Sequence, residues 1–216
     1  MANYDIYTDG SALGNPGPGG YGCVIFNLDT NDKTELDGGA RSTTNNRMEL
    51  QAVISALCAI EANSVVIITS DSKYVCDGIN KGWATSWAKN GWKTASKHPV
   101  KNVDLWMKLL DCIKSMKKVT FNWVKGHAGH PMNERCDELA RTRASFYQLE
   151  YREQWGASSM EDAIEKAAAK KVSASDDVIS RLERVIAALD AHPAMQDGID
   201  KAIVAELTLI KEELSA

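Results

Sequence analysis

The sequence contains no run of about 18 consecutive apolar residues, so no bilayer-spanning helix is expected. It opens Met-Ala-Asn-Tyr-Asp, without the basic and apolar regions of a secretory leader, and no export signal is expected either. The five cysteines, Cys23, Cys58, Cys76, Cys112 and Cys136, are odd in number and lack tight pairing. Each sits in or beside an apolar stretch, which favours reduced, packed thiols in a cytoplasmic protein over a disulfide framework. Two local shortages are equally informative. Aromatic residues stop at Trp155, and no acidic residue occurs between Asp77 and Asp104.

The net charge of −4 over 216 residues looks wrong for a protein that binds polyanions, but it is unevenly spread. Residues 1–150 carry 17 Lys+Arg against 16 Asp+Glu, whereas residues 151–216 carry 8 against 13. The gap without acids holds Lys81, Lys89, Lys93, Lys97 and Lys101. A local field of this kind governs binding more than the overall sum.

With 44% hydrophobic residues the chain can bury a real core. Residues 4–9 read as a strand, the Gly- and Pro-rich stretch Gly10 to Gly20 as a loop, and residues 21–28 and 34–41 as two more strands of an antiparallel meander. From Asn46 onward Leu50, Val53, Ile54, Leu57 and Cys58 recur at helical spacing. Val65 to Ile68 is an unbroken apolar run, as in a strand buried on both faces and paired in parallel. A helix from about Ser72, a basic Trp-rich stretch, a helix over 103–116, a strand over Val119–Val124 and a helix over Asn133–Phe146 follow. The pattern is α/β, with a five-stranded mixed sheet flanked by helices.

Beyond about residue 150 Ala, Glu, Lys and Leu dominate. Val178, Leu182, Val185 and Leu189 repeat at helical spacing, as do Ile199, Ile203, Leu207, Ile210 and Leu214, and Pro193 interrupts between them. This reads as a C-terminal α-helical hairpin or small bundle, with a third short helix over 159–171. The expected division is a domain over 1–150 and an acidic helical extension over 151–216.

Four acids stand out. Asp9 and Asp71 end apolar runs, Glu49 borders the stripe of the first helix, and Asp137 lies in the first turn of the last helix read. If the strands ending at Asp9 and Asp71 are parallel neighbours, their carboxylates emerge side by side at the sheet's carboxyl edge, where sites form in open α/β sheets. Carboxylates so crowded repel and take up protons unless a cation lies between them. All-oxygen ligation favours Mg²⁺ or Mn²⁺ over zinc. The bland alternative is four unrelated surface acids. A zinc site from His127, His130 and Cys136 lacks a clear fourth ligand. Gly17-Pro18-Gly19-Gly20-Tyr21-Gly22 fits the dinucleotide fingerprint, but a strand rather than a helix follows, so its glycines are assigned to a tight loop near the site.

Tyr7-Thr8-Asp9-Gly10-Ser11, Thr44-Asn45-Asn46-Arg47-Met48-Glu49-Leu50, Ser70-Asp71-Ser72, Lys125-Gly126-His127-Ala128-Gly129-His130 and Asn133-Glu134-Arg135-Cys136-Asp137-Glu138-Leu139-Ala140 occur in this order. Over roughly residues 3–146 the chain resembles the bacterial type 1 ribonucleases H. The resemblance implies the ribonuclease H-like fold and an endonuclease that hydrolyses the RNA strand of an RNA–DNA hybrid, leaving 5′-phosphate and 3′-hydroxyl ends. It makes Asp9, Glu49, Asp71 and Asp137 the ligands of two Mg²⁺ ions, with Mn²⁺ able to substitute, and His127 an aid to proton movement or product release. It places Asn15, Asn45 and Asn46 in the minor groove and Thr44 on a DNA phosphate. The stretch with Trp83, Lys89, Lys93 and Lys97 resembles a basic protrusion that meets the DNA strand, while Trp87 and Trp92 are expected to pack it.

Asparagines before a helix also serve as caps, an alternative for Asn45 or Asn46. Lys73 stands where many such enzymes carry an amide, and it is expected to favour phosphate contact and weaken discrimination. Two other readings stay open: a binding module with a dead site, and a nuclease for double-stranded RNA or DNA. The core is expected to be monomeric and to contact no membrane. For the extension, a structural cap, dimerisation or a protein partner through residues 178–214 are all open.

Overall fold

The structure is a computed structural model and describes residues 2–155. The helical hairpin and the apolar stripes at 178–189 and 199–214 lie outside the described residues. Five strands, β1 (Asn3–Ala12), β2 (Gly17–Asn27), β3 (Lys33–Thr43), β4 (Val65–Ser70) and β5 (Lys118–Trp123), form one mixed sheet in the order β3-β2-β1-β4-β5. The β1–β2–β3 meander is antiparallel, whereas β4 is parallel to both β1 and β5. The helices are α1 (Asn45–Cys58), α2 (Lys73–Asn80), α3 (Trp83–Lys89), α4 (Val103–Ser115) and α5 (Pro131–Trp155). The α/β class and five-stranded mixed sheet expected from the sequence are found.

One face of the sheet is covered by α1, which also packs against α4. A helix enclosed on two sides cannot keep a wide polar face. Accordingly Ala52 and Ala56 are buried alongside Leu50, Val53, Ile54 and Leu57, and Cys58 ends the helix exposed. Trp106 of α4 is fully buried; its indole N–H donates to the Tyr74 hydroxyl at 2.8 Å, and the Trp87 ring meets it edge-on at 5.7 Å. This one side chain therefore joins α2, α3 and α4.

The other face is covered by α5, over β1, β2 and β3. That coverage corrects two expectations. The Gly10–Gly20 stretch is mostly strand, with β1 running on to Ala12 and β2 starting at Gly17, so the glycines do not form a loop by the site. Gly20 and Gly22 are there because α5 lies almost on the β2 backbone: a methyl on Gly20 would collide with the carbonyl oxygen of Ala140, and one on Gly22 with that of Cys136. In addition β4 is not buried on both faces, since Val66 and Ile68 are inaccessible but Ile67 is 38% exposed. Three arginine–carboxylate pairs tie α5 to β3: Arg135 with Glu35 at 2.8 Å, Arg41 with Glu150 at 2.6 Å, and Arg143 with Asp37. Partly exposed pairs contribute at most about 1 kcal/mol each, so they orient the helix more than they hold it.

Replacing Gly22 by Ala should destabilise the fold by about 1–3 kcal/mol, because rigid backbone must give way. Thermal unfolding checks this, and an unchanged midpoint would mean that α5 can lift off β2 without cost.

Candidate active site

The parallel pairing places Thr8 opposite Ser70, so Asp9, which lies within β1 and not at its end as the sequence suggested, is beside Asp71, the first residue past β4. Asp9 is only 8% exposed. Its neighbour Gly10 lies so close to α1 that a side chain there would strike the backbone nitrogen of Glu49. This approach is what lets α1 bring Glu49 over the strand ends. On the other face, Cys136 packs on Gly22, which pairs with Asp9, and the following residue is Asp137. Since α5 begins at Pro131, a favourable first helical residue, Asp137 sits beyond the first turn that the sequence assigned to it. The macrodipole, which fades within the first turn, therefore does little for Asp137.

The charges of the four carboxylates bear on one another. Burial pushes the Asp9 carboxyl up to about 8; the charges of Asp71, Asp137 and Glu49 add to this, against the hydrogen bond from the Gly10 N–H at 2.7 Å. Burial likewise raises Glu49 to about 7, aided by Asp71 and opposed by the Ser72 and Asn45 hydrogen bonds. The groups that hold the acids in place are neutral. The Ser72 hydroxyl donates to Glu49 Oε2 at 2.5 Å and the Asn45 amide to Oε1 at 2.9 Å. The Asn133 amide donates to Asp71 Oδ2 at 3.3 Å. Asp137 has a cationic neighbour, Arg141, in a looser pair at 3.6 Å.

Ser72, Asn133 and Trp123 were not singled out from the sequence. Ser72 caps α2, accepting from the Val75 N–H at 3.3 Å, while its own proton goes to Glu49. The Ser after Asp71 was the visible signal, but its partner lies 23 residues away. Asn133 is 3% exposed and its Oδ1 has no hydrogen-bond partner, an uncommon condition for a buried amide. The exposed Trp123 donates its indole N–H to the Asp71 carbonyl at 2.9 Å.

The other expected residues are distributed around this centre. His127 is exposed and in a left-handed conformation (φ +52°), and Gly126 before it lies against the Asp71 carboxylate. Thr44, not an asparagine, caps α1 by accepting from the Arg47 N–H at 3.4 Å. Asn45 and Asn46 are the first two helical residues and both are exposed. Asn15 is exposed in the β1–β2 connection. Lys73 opens α2 with its ammonium 4.7 Å from the centre of the Trp123 ring.

Trp83 opens α3, is 40% exposed, and lies beneath Lys81 at 5.0 Å. Trp87 and Trp92 pack against the core as expected. Lys89, Lys93 and Lys97 are exposed on and after α3.

Among the described residues no three His, Cys, Asp or Glu side chains close into a ready-made cage for an ion. The donors are all carboxylate oxygens, and the protons that burial forces onto Asp9 and Glu49 mark charge that a hard cation would replace.

A family model described as RNase H matches residues 1–145. The chain is 57% identical over 145 residues to a ribonuclease H of Pseudoalteromonas atlantica, covering 67% of this chain and 92% of that protein. It is 55% identical over 150 residues to a ribonuclease H of Escherichia coli strain HS, covering 69% and 94%. Among solved structures it is similar to LC9-RNase H1, a type 1 RNase H with the type 2 active-site motif, at 33% identity and a TM-score of 0.61, covering 68% of this chain and 74% of that one. LC11-RNase H1 in complex with an RNA/DNA hybrid shares the fold, at 24% identity and a TM-score of 0.51.

The raised carboxyls carry a stability consequence. A carboxyl whose folded pKa exceeds its unfolded value keeps a proton that the unfolded chain gives up, so stability falls as pH rises from about 4 to about 8. In chelator, Asp9→Asn should therefore raise the melting temperature by several degrees at pH 8 and leave it nearly unchanged at pH 4. A lower melting temperature at pH 8 would show that Asp9 is not under electrostatic strain.

Proposed function

The chain belongs to the ribonuclease H family, and on that premise we propose that it is an endonuclease that cleaves the RNA strand of RNA–DNA hybrids, leaving 5′-phosphate and 3′-hydroxyl ends. The observation that carries this reading is the convergence of Asp9, Glu49, Asp71 and Asp137, from four separate segments of the chain, into a site where Asp9 is pushed up to about 8. Such a cluster has little use without cations and a phosphate to bridge.

Asp9, Glu49, Asp71 and Asp137 would hold two Mg²⁺ ions, or Mn²⁺ in their place. Bound there, the ions supply Lewis acidity toward a scissile phosphate and make water a better nucleophile at neutral pH. The chain's own residues orient and select. Ser72 and Asn45 fix both oxygens of Glu49, and Asn133 fixes Asp71, so the ligands are preorganised by donors that bring no competing charge. His127, exposed on the loop whose Gly126 touches Asp71, is placed to carry a proton or to aid release of the product strand.

Asn15, Asn45 and Asn46 present amides that both donate and accept, which suits reading 2′-hydroxyls in a minor groove, and Thr44 contacts a DNA phosphate. Trp83, Lys89, Lys93 and Lys97 meet the DNA strand beyond the site. Lys73, held over Trp123, offers a donor and a charge but no acceptor, and its contact is with phosphate. Residues 1–150 make up the catalytic domain of a cytoplasmic enzyme whose core acts as a monomer. Residues 151–216 are an acidic extension for dimerisation or partner binding through their apolar stripes. Light scattering of the full chain against residues 1–150 tests the last point: equal monomeric masses and identical captured partners would remove it.

The principal test is cleavage of an end-labelled hybrid with Mg²⁺, beside single-stranded RNA, double-stranded RNA and double-stranded DNA. The RNA strand of the hybrid alone should be cut. Asp71→Asn should abolish cleavage and preserve binding, and His127→Ala should slow turnover less. Turnover by Asp71→Asn, or cleavage of another duplex, overturns the assignment. Replacing Lys89, Lys93 and Lys97 by Gln should weaken hybrid binding and flatten its dependence on log salt by roughly one unit per lysine. An unchanged slope would remove the segment from the DNA path.

A further inference from the structure

The five thiols are not alike. Cys23, Cys76 and Cys136 are buried, but Cys58 is exposed and Cys112 is half-buried. The sulfur atoms of Cys58 and Cys112 are 3.5 Å apart, although 54 residues separate them in the chain. Cys58 is the last residue of α1 and Cys112 lies near the end of α4. At the opposite ends of the same two helices, Arg47 holds Asp104 with two hydrogen bonds of 3.0 and 2.7 Å. The α1–α4 seam is thus closed at one end by an ion pair and at the other by two facing thiols. Neither thiol has a part in the carboxylate site, because Cys58 follows Glu49 by nine residues of helix, or about 13 Å along its axis.

We propose that Cys58 and Cys112 form a reversible dithiol–disulfide site, oxidised by low-molecular-weight disulfides of the glutathione type, that staples α1 to α4. The inference stands on the sulfur geometry and does not depend on the nuclease reading. Cys58, the exposed partner, attacks one sulfur of the external disulfide as thiolate; that S–S bond breaks, a protein–small-molecule S–S bond forms, and the first small thiol leaves with a proton. Cys112, once deprotonated, attacks the Cys58 sulfur and expels the second small thiol. Two protein S–H groups are lost and two small-molecule S–H groups gained, so the protein is oxidised by two electrons and the external disulfide reduced by two.

Burial, together with the hydrogen bond and the charge of Cys58, pushes the Cys112 thiol up to about 11. The second step is therefore the slower one near neutral pH, since the thiolate is the nucleophile. Once closed, the bond constrains a long loop of the unfolded chain and so stabilises the fold, provided that the helices accept it without distortion.

The test uses the full chain, incubated with oxidised glutathione at pH 8 and then alkylated under denaturing conditions. The expected result is loss of two of the five thiols, a mass lower by two hydrogens without added glutathione, and a Cys58–Cys112 cross-linked peptide. The melting temperature should rise by several degrees and return to its starting value with dithiothreitol. Cys58→Ser should lose no thiol pair and show no such rise, and its basal nuclease activity should match that of the unmodified protein. Accumulation of a stable glutathione adduct, a cross-link to another cysteine, an intermolecular dimer, or pair loss that persists in Cys58→Ser would each overturn the proposal.

Discussion

Crowded negative charge at the carboxyl end of the central strands is the constraint around which this molecule is arranged. Burial, with the charges of Asp71, Asp137 and Glu49 adding to it, raises the affinity of Asp9 for a proton to about 8. A displacement of that size corresponds to stability on the order of several kcal/mol, surrendered whenever the site is ionised without a counter-charge. The interior offsets this loss through the tightly covered strands β1 and β2 and through Trp106, which joins three helices.

The way the acids are held matters as much as their proximity. Serine and asparagine donors fix Glu49 and Asp71 without neutralising them. A lysine in their place would satisfy the carboxylates permanently and would compete with any divalent ion. The nearest cationic partner, Arg141, reaches only Asp137, on an exposed helix surface. Closer ion pairs are placed elsewhere, between Arg47 and Asp104 and along the seam between β3 and α5. The protein thus puts its charge neutralisation where it orients elements and withholds it where a metal and a phosphate would supply it.

The exposed amides border the carboxylates, Asn45 bonding Glu49 directly, and the lysine-rich segment lies on and after α3. Thr44 takes over the cap of α1, which frees Asn45 and Asn46 from that duty and leaves both exposed. Trp87 and Trp92 anchor the segment around α3, so that Trp83 and the lysines project from a fixed base. Lys73, resting on Trp123, is linked to the metal-binding edge by the indole hydrogen bond to the Asp71 carbonyl. A change of side chain at position 73 therefore reaches the Asp71 backbone through Trp123.

Much of this was legible without coordinates. Short strand-like runs marked β1 and β5, the Leu50–Leu57 stripe marked α1, and the acids closing two apolar runs marked the place on adjacent strands where Asp9 and Asp71 meet. These are consequences of short-range periodicity, which a linear sequence carries in full. The glycines between Gly10 and Gly22 looked like a loop because composition cannot distinguish a residue that must turn from one that must make room. What excludes a side chain at Gly22 is Cys136, more than a hundred residues away. The same limit hid the bond from Ser72 to Glu49, the buried amide of Asn133 and the facing sulfurs of Cys58 and Cys112. The sequence by itself determined which residues could ionise, donate or pack, and in what local element. Tertiary structure alone decided which of them meet, because burial and distance, which set every proton affinity and contact described, arise only when distant segments close around one another.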